Sequence, residues 1–191
     1  NTIGVEYDSY GLTAKNGKML DSALDGFCRL TDASNLVNRL RVVKSQNELV
    51  YVRKAAELAD KALDEAHSIV REGCDEGELL AAMQGAVFRG GGDYPGNEFI
   101  IGSGENALLC RYFSGRRKLS KVDQITLEWA GAYRHYHAAM MRTIPVGIVT
   151  DQHQRMFDVC LQSIDACQKA LRPGNAIGEV FDAYANTCDI F

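Results

Sequence analysis

Residues 123–148 read DQITLEWAGAYRHYHAAMMRTIPVGI. Ile125, Leu127 and Trp129 alternate with Thr126, Glu128 and Ala130, the period-two pattern of a half-buried strand. Gln124–Ala130 is expected as one strand, Tyr133–Ala139 as a second, and Met141–Ile148 as its continuation. A two-residue turn joins them, either at Gly131-Ala132, which composition favours, or at Tyr133-Arg134. Any two-residue turn pairs even positions of the first strand with odd positions of the second. Glu128, His135 and His137 therefore share one face in either register. A carboxylate beside imidazoles is a candidate acid–base site; the plainer alternative is a solvent-facing sheet surface.

Outward from this hairpin the signals are helical. Ser45-Gln46-Asn47-Glu48 is a capping box, and Leu49, Val52, Ala56, Ala59, Leu63, Ala66 and Val70 follow at alternating three- and four-residue steps. Gly73 is a plausible stop. Asp75-Glu76-Gly77-Glu78 opens a second helix through Phe88, which Gly90-Gly91-Gly92 ends. Phe99-Ile100-Ile101 is β-like and leads into Gly102-Ser103-Gly104. Beyond the hairpin a helix starts near Asp151, with Met156, Cys160, Ile164, Cys167 and Leu171 at helical spacing. Pro173-Gly174 turns the chain, and Asn175 can cap a last helix through Ala185. Helix, helix, strands, helix, helix is an α+β order. Residues 1–43 read differently: strand Ile3–Glu6, helix Met19–Phe27 and strand Cys28–Thr31 resemble the end of an α/β unit. The expected division is thus 1–43 and 44–191.

Of 191 residues, 46% are hydrophobic and 24% charged, with a formal charge of -4. That is globular composition without the basic field that nucleic-acid binding needs, and no apolar run is long enough to span a membrane. The chain opens on Asn1 and closes at Phe191 just after an expected helix, so a piece of a longer protein is expected. Six cysteines without a CxxC pair read as buried, reduced thiols of a cytoplasmic protein. No Walker loop, GxGxxG, HExxH or GxSxG occurs. Asp93-Tyr94-Pro95 follows three glycines that let a backbone approach a ligand. Arg111, next to Tyr112, is suited to clamp a substrate carboxylate in bidentate fashion. Arg116, Arg117 and Lys118 read as a solvated charge run, and His67 and His153 as surface helix residues.

Several of these stretches resemble the creatinase/aminopeptidase P/prolidase family. Leu40-Arg41-Val42-Val43-Lys44-Ser45, with Glu48 and Arg53-Lys54-Ala55, is similar to the opening of its catalytic domain. Phe99–Gly104 with Asn106-Ala107 resembles its substrate loop, and Arg142-Thr143 its Arg-Thr after the metal-binding strands. The resemblance implies a "pita-bread" fold. Residues 44–191 would be its first half, 1–43 the end of an N-terminal domain, and the later His and two Glu of the family would lie outside this chain. It also implies two metal-binding Asp at the positions of Glu128 and Ala139, and a His at Arg111. Here the first ligand is a longer carboxylate and the second a methyl group, so no family-type two-metal centre is expected.

The metal-free branch of the family, creatinase and more closely ectoine hydrolase, fits Gly91-Gly92-Asp93-Tyr94-Pro95 and the spacing of Glu128, Ala130, Gly131, Tyr133, Tyr136, His137, Arg142 and Thr143. That likeness implies a metal-independent hydrolase of a small C–N substrate, a cyclic amidine or a guanidino acid. Glu128 would be base or nucleophile, and His137 would orient or protonate. Arg111 would hold the substrate carboxylate, with Tyr94, Tyr112 and His135 lining the pocket. Arg142 would bind substrate or serve as a buried ion-pair partner. The alternatives are an Xaa-Pro metallo-aminopeptidase or dipeptidase using Mn or another divalent metal, and a non-catalytic pita-bread binding module. A homodimer is implied by the resemblance alone.

Overall fold

The computed structural model describes residues 1–108 and 117–189. Two compact units divide the chain, Asn1–Tyr51 and Val52–Phe191. In the first, β1 (Thr2–Val5) pairs in parallel with β2 (Arg29–Asp32), and α1 (Ala14–Leu24) connects them. The helix begins earlier than the expected Met19 because Thr13 caps it, accepting from the Asn16 N–H at 3.2 Å. A seven-residue helix, α2 (Leu36–Val42), was not expected; two turns are too short to establish a periodicity.

Helix α3 (Gln46–Ile69) starts at the expected capping box. The Ser45 N–H donates to Glu48 Oε2 at 2.6 Å, and the Glu48 N–H to Ser45 Oγ at 3.3 Å. Helix α4 (Glu76–Arg89) is capped by Asp75, which accepts from the Gly77 N–H at 2.8 Å. Strands β3 (Ile100–Ser103), β4 (Asp123–Tyr133) and β5 (Tyr136–Val146) form one antiparallel sheet in the order β3-β4-β5. The core lies on one face of it, where Ile125, Leu127 and Trp129 of β4 and Ile101 of β3 meet Leu58 and Ala62 of α3 and Leu79, Met83 and Val87 of α4.

The buried stripe of α3 is Ala55, Leu58, Ala59, Ala62 and Ala66, so it is rotated from the expected one, of which Ala59 and Ala66 are fully buried. Close approach decides the matter. A Cβ added to Gly131 would lie 2.0 Å from the Ala55 carbonyl oxygen and 2.6 Å from the Ala59 nitrogen. Only alanines on the helix and a glycine on the strand let the two backbones meet. The Trp129 indole closes the seam, donating to the Ala59 carbonyl at 3.0 Å.

Helices α5 (Asp151–Ala170) and α6 (Ile177–Cys188) follow the sheet. The expected apolar stripe of α5 is not core: Met156, Ile164 and Leu171 are 59%, 53% and 64% exposed. Asn175 does not cap α6. Its side chain donates to the Ala170 carbonyl and finishes α5, while Glu179 reaches back to the Ala176 N–H at the start of α6. Cys28, Cys74, Cys160, Cys167 and Cys188 are free thiols; Cys74 is buried, but Cys160 is exposed. Cys110 lies outside the described residues. Among the described residues no helix is long and apolar enough to cross a membrane.

Candidate active site

The β4–β5 turn falls at Arg134-His135, three residues beyond Gly131-Ala132 and one beyond Tyr133-Arg134, the two expected places. Tyr133 pairs with Tyr136, and Arg134 and His135 have φ of 51° and 65°, as a type I′ turn requires. Glycine would be the easier residue there, but Gly131 is needed against α3. The turn is held from outside: the Asp93 carboxylate accepts from the His135 N–H at 3.1 Å, and the Asp93 N–H donates to the Ala132 carbonyl at 2.9 Å. Gly92 permits this approach, since a Cβ on it would lie 2.8 Å from that same carbonyl.

This register revises the expected face. His135 sits in the turn, not on a strand face beside Glu128. Glu128 pairs with Met141 on one side and Ile100 on the other, and Ala132 pairs with His137. His137 shares the Glu128 face but lies four positions along it, about 13 Å at the usual strand rise. Both of its ring nitrogens are engaged. Nε2 accepts from the Gly96 N–H at 2.8 Å, and Nδ1 donates to the His135 carbonyl at 2.9 Å, a pairing that belongs to the neutral Nδ1–H tautomer. His137 therefore ties the loop after the three glycines to the hairpin tip.

Glu128 is half-buried, and its carboxylate has no hydrogen-bond or ion-pair partner among the described residues. It faces the side of the sheet away from α3 and α4, together with Thr126, Ala130, Ala139, Met141 and Thr143. Ala130 pairs with Ala139, so Ala139 is the diagonal cross-strand neighbour of Glu128. A second carboxylate there would share a ligand with Glu128; a methyl group offers no donor atom. Among the described residues no cluster of three His, Cys, Asp or Glu side chains could hold a metal ion. Of these two diagonal positions, 128 alone supplies a carboxylate in this chain.

The other expected residues are dispersed. Tyr94 is 81% exposed and stacks edge-on against Phe88, with centroids 4.9 Å apart. Arg142 pairs with the core residue Leu127, so its Cβ is on the face opposite Glu128. It is exposed and donates to the Met141 carbonyl, which removes the reading of a buried ion pair. Arg111 and Tyr112 lie outside the described residues, as does Arg116. His67 is exposed at the end of α3, and His153 is half-buried in the capping box that opens α5.

Arg117 is not part of a solvated run. Its guanidinium donates to Asp123 at 2.5 Å and to the Ser103 hydroxyl at 2.7 Å, and Ser103 in turn donates to the buried carboxylate of Glu76. Burial raises the Asp123 pKa, but bonds from the Ser120 N–H, Arg117 and the Gln124 N–H outweigh it and hold the carboxyl below its ordinary value. Sequence reasoning missed this network. Glu76 stands among four consecutive polar or glycine residues at a helix start, where a solvated side chain is the ordinary outcome.

Strand pairing, covering helices and the face left to Glu128 define a pita-bread α+β fold. Over the whole of this chain the structure superposes on the prolidase from Pyrococcus furiosus with a TM-score of 0.87 at 22% identity, covering 55% of that protein. Residues 50–189 match the model of metallopeptidase family M24, and the chain belongs to that family. In sequence it is 26% identical over 146 residues to the Xaa-Pro dipeptidase of Pyrococcus furiosus, covering 76% of this chain and 42% of the relative. It is 27% identical over 200 residues to the ectoine hydrolase of Halomonas elongata, covering 95% and 49%. The chain thus spans about half the length of the curated relatives it matches.

Proposed function

We propose that the protein hydrolyses a C–N bond in a small substrate through Glu128, without the paired metal ions of a typical family member. One observation carries the reading: a half-buried carboxylate at 128, with no partner among the described residues, whose diagonal neighbour, where a second ligand would be needed, is the methyl group of Ala139. An amidinium or guanidinium carbon is already electrophilic and brings its own positive charge. A carboxylate stabilises it directly, and acts either as base toward water or as nucleophile at that carbon. His137 contributes by orienting the loop at Tyr94–Gly96, because both of its ring nitrogens are committed. Arg111 is assigned the substrate carboxylate. The relative named ectoine hydrolase supports a cyclic amidine as the first substrate to test. The relatives named Xaa-Pro dipeptidase and Xaa-Pro aminopeptidase support the rival class.

The test is metal analysis of full-length protein purified without chelator, followed by assays on ectoine, creatine and Xaa-Pro dipeptides with and without manganese. Substoichiometric metal and metal-independent turnover of an amidine are expected. Glu128→Gln is expected to lower kcat/KM on that substrate about 100-fold or more. One or two metals per subunit with manganese-dependent cleavage of Xaa-Pro bonds would replace this reading with that of a peptidase. No turnover of any of these compounds would favour a binding module.

A further inference from the structure

Helices α5 and α6 are joined by residues 171–176 and pack against each other, and three of the chain's six cysteines lie on them. The chemistry assigned to Glu128 uses none of the three. Two contacts set the register of the pair. Cys167 Sγ donates to the Val180 carbonyl at 3.7 Å, and Ser163 Oγ meets Cys188 Sγ at 3.7 Å. Positions fall along α5 as they rise along α6, so the helices are antiparallel. Cys160 stands seven residues before Cys167, about 10.5 Å along the axis and only about 20° around it, so it points to α6 as Cys167 does. Cys188 stands eight residues after Val180, about 12 Å along α6. The thiols of Cys160 and Cys188 therefore come to nearly the same level, at the open end of the hairpin. Ser163, one turn from Cys160, already touches Cys188.

Tyr184 belongs to the same group. Its hydroxyl bonds the Cys188 side chain, and that bond and the Cys188 charge push its pKa above the ordinary phenol value, with desolvation and then Cys160 and Cys167 adding to the shift. Cys160 is exposed and Cys188 half-buried, so a solute in water reaches Cys160 first. Cys167 sits apart. It is about 10.5 Å from Cys160 and level with Val180, about 12 Å from Cys188, and a disulfide spans no more than about 7 Å between Cα atoms. The three thiols do not converge on one point, and among the described residues no cluster of three His, Cys, Asp or Glu side chains could hold a metal ion.

We propose that Cys160 and Cys188 are a redox pair that a peroxide converts to a disulfide, stapling the open end of the α5–α6 hairpin. The Cys160 thiolate attacks the peroxide: an S–O bond forms, the O–O bond breaks, hydroxide leaves, and Cys160 becomes a sulfenic acid. The Cys188 thiolate then attacks that sulfur: the S–S bond forms, the S–O bond breaks, and a second hydroxide leaves. The two hydroxides take up the two thiol protons. Two thiols and one hydrogen peroxide thus give one disulfide and two waters, and the sulfurs lose the two electrons that the peroxide gains. A dithiol reverses the change by exchange. The staple closes the chain between 160 and 188 into a loop, which restricts the opened hairpin and so disfavours opening. It is independent of the reading of Glu128.

The test uses full-length protein at about pH 8.5, where an ordinary thiol is half ionised. Hydrogen peroxide is added, remaining thiols are alkylated, and unreduced peptides are mapped by mass spectrometry. A Cys160–Cys188 link is expected as the dominant link within one chain, lost after dithiothreitol and absent from Cys160→Ser. Cys167→Ser is expected to form it as wild type does. Hydrogen–deuterium exchange on the wild-type protein needs no variant. Oxidation is expected to slow exchange within 161–187 about tenfold and to leave 124–146 unchanged. A dominant link through Cys167, oxidation of both cysteines without a link, links only between chains, or a link that leaves exchange within 161–187 unchanged would each overturn the proposal.

Discussion

Gly131→Ala is the most direct probe of what places Glu128. The added Cβ would lie 2.0 Å from the Ala55 carbonyl oxygen and 2.6 Å from the Ala59 nitrogen, both backbone atoms of α3 that cannot rotate away. Ordinary contact requires roughly 3.4 Å, so helix and strand must separate by more than about 1 Å. Overpacking of this kind costs about 1–3 kcal/mol. The same separation stretches the 3.0 Å bond from the Trp129 indole to the Ala59 carbonyl, worth about 1 kcal/mol more. A loss of about 2–4 kcal/mol is expected, read in urea denaturation as a lower midpoint at unchanged slope. Trp129 is the one tryptophan in these 191 residues, and its fluorescence reports the seam directly. Adding Trp129→Phe should be less than additive with Gly131→Ala, because both act on one contact. A loss below about 0.5 kcal/mol, or full additivity, would refute the account of a backbone-to-backbone seam.

Asp123 has a carboxyl held below its ordinary value in the folded protein, so its contribution is present above the unfolded value, about pH 4, and fades as pH falls through the folded value. Denaturation measured across pH 7 to 2.5 should therefore show wild type well above Asp123→Asn at neutral pH and the two converging in acid; a constant gap would refute this. His137→Ala should release the Gly96 amide, raising its exchange rate while costing only about 0.5–1.5 kcal/mol, since the ring is exposed. Ala139→Asp should bring a second carboxylate diagonal to Glu128 and raise affinity for manganese about tenfold or more by titration calorimetry. Unchanged affinity would mean that the two positions do not face a common ligand.

Much of the fold was legible because its signals are local. The Ser45–Glu48 box, the Asp75 cap and the alternation of Ile125, Leu127 and Trp129 each state an element within a few residues, and those elements form where they were read. The face of Glu128 was legible for the same reason: its place on the polar side of an alternating strand needs no tertiary knowledge.

Tertiary structure decided the rest, wherever one residue could satisfy two demands. Gly131 suits a turn, but helix α3 claims it for close approach, so the turn moves to Arg134-His135 and Asp93 holds it there. That shift takes His135 off the sheet face and sets His137 some 13 Å from Glu128. Glu76 and Arg117 look like solvated charges in sequence, because burial of an ionised group becomes affordable only through partners 27 and 14 residues distant from Ser103. The chain by itself determined which elements form and which carboxylate faces outward. Only their packing determined the strand register and the buried polar links, since these depend on distances between segments that no local pattern encodes.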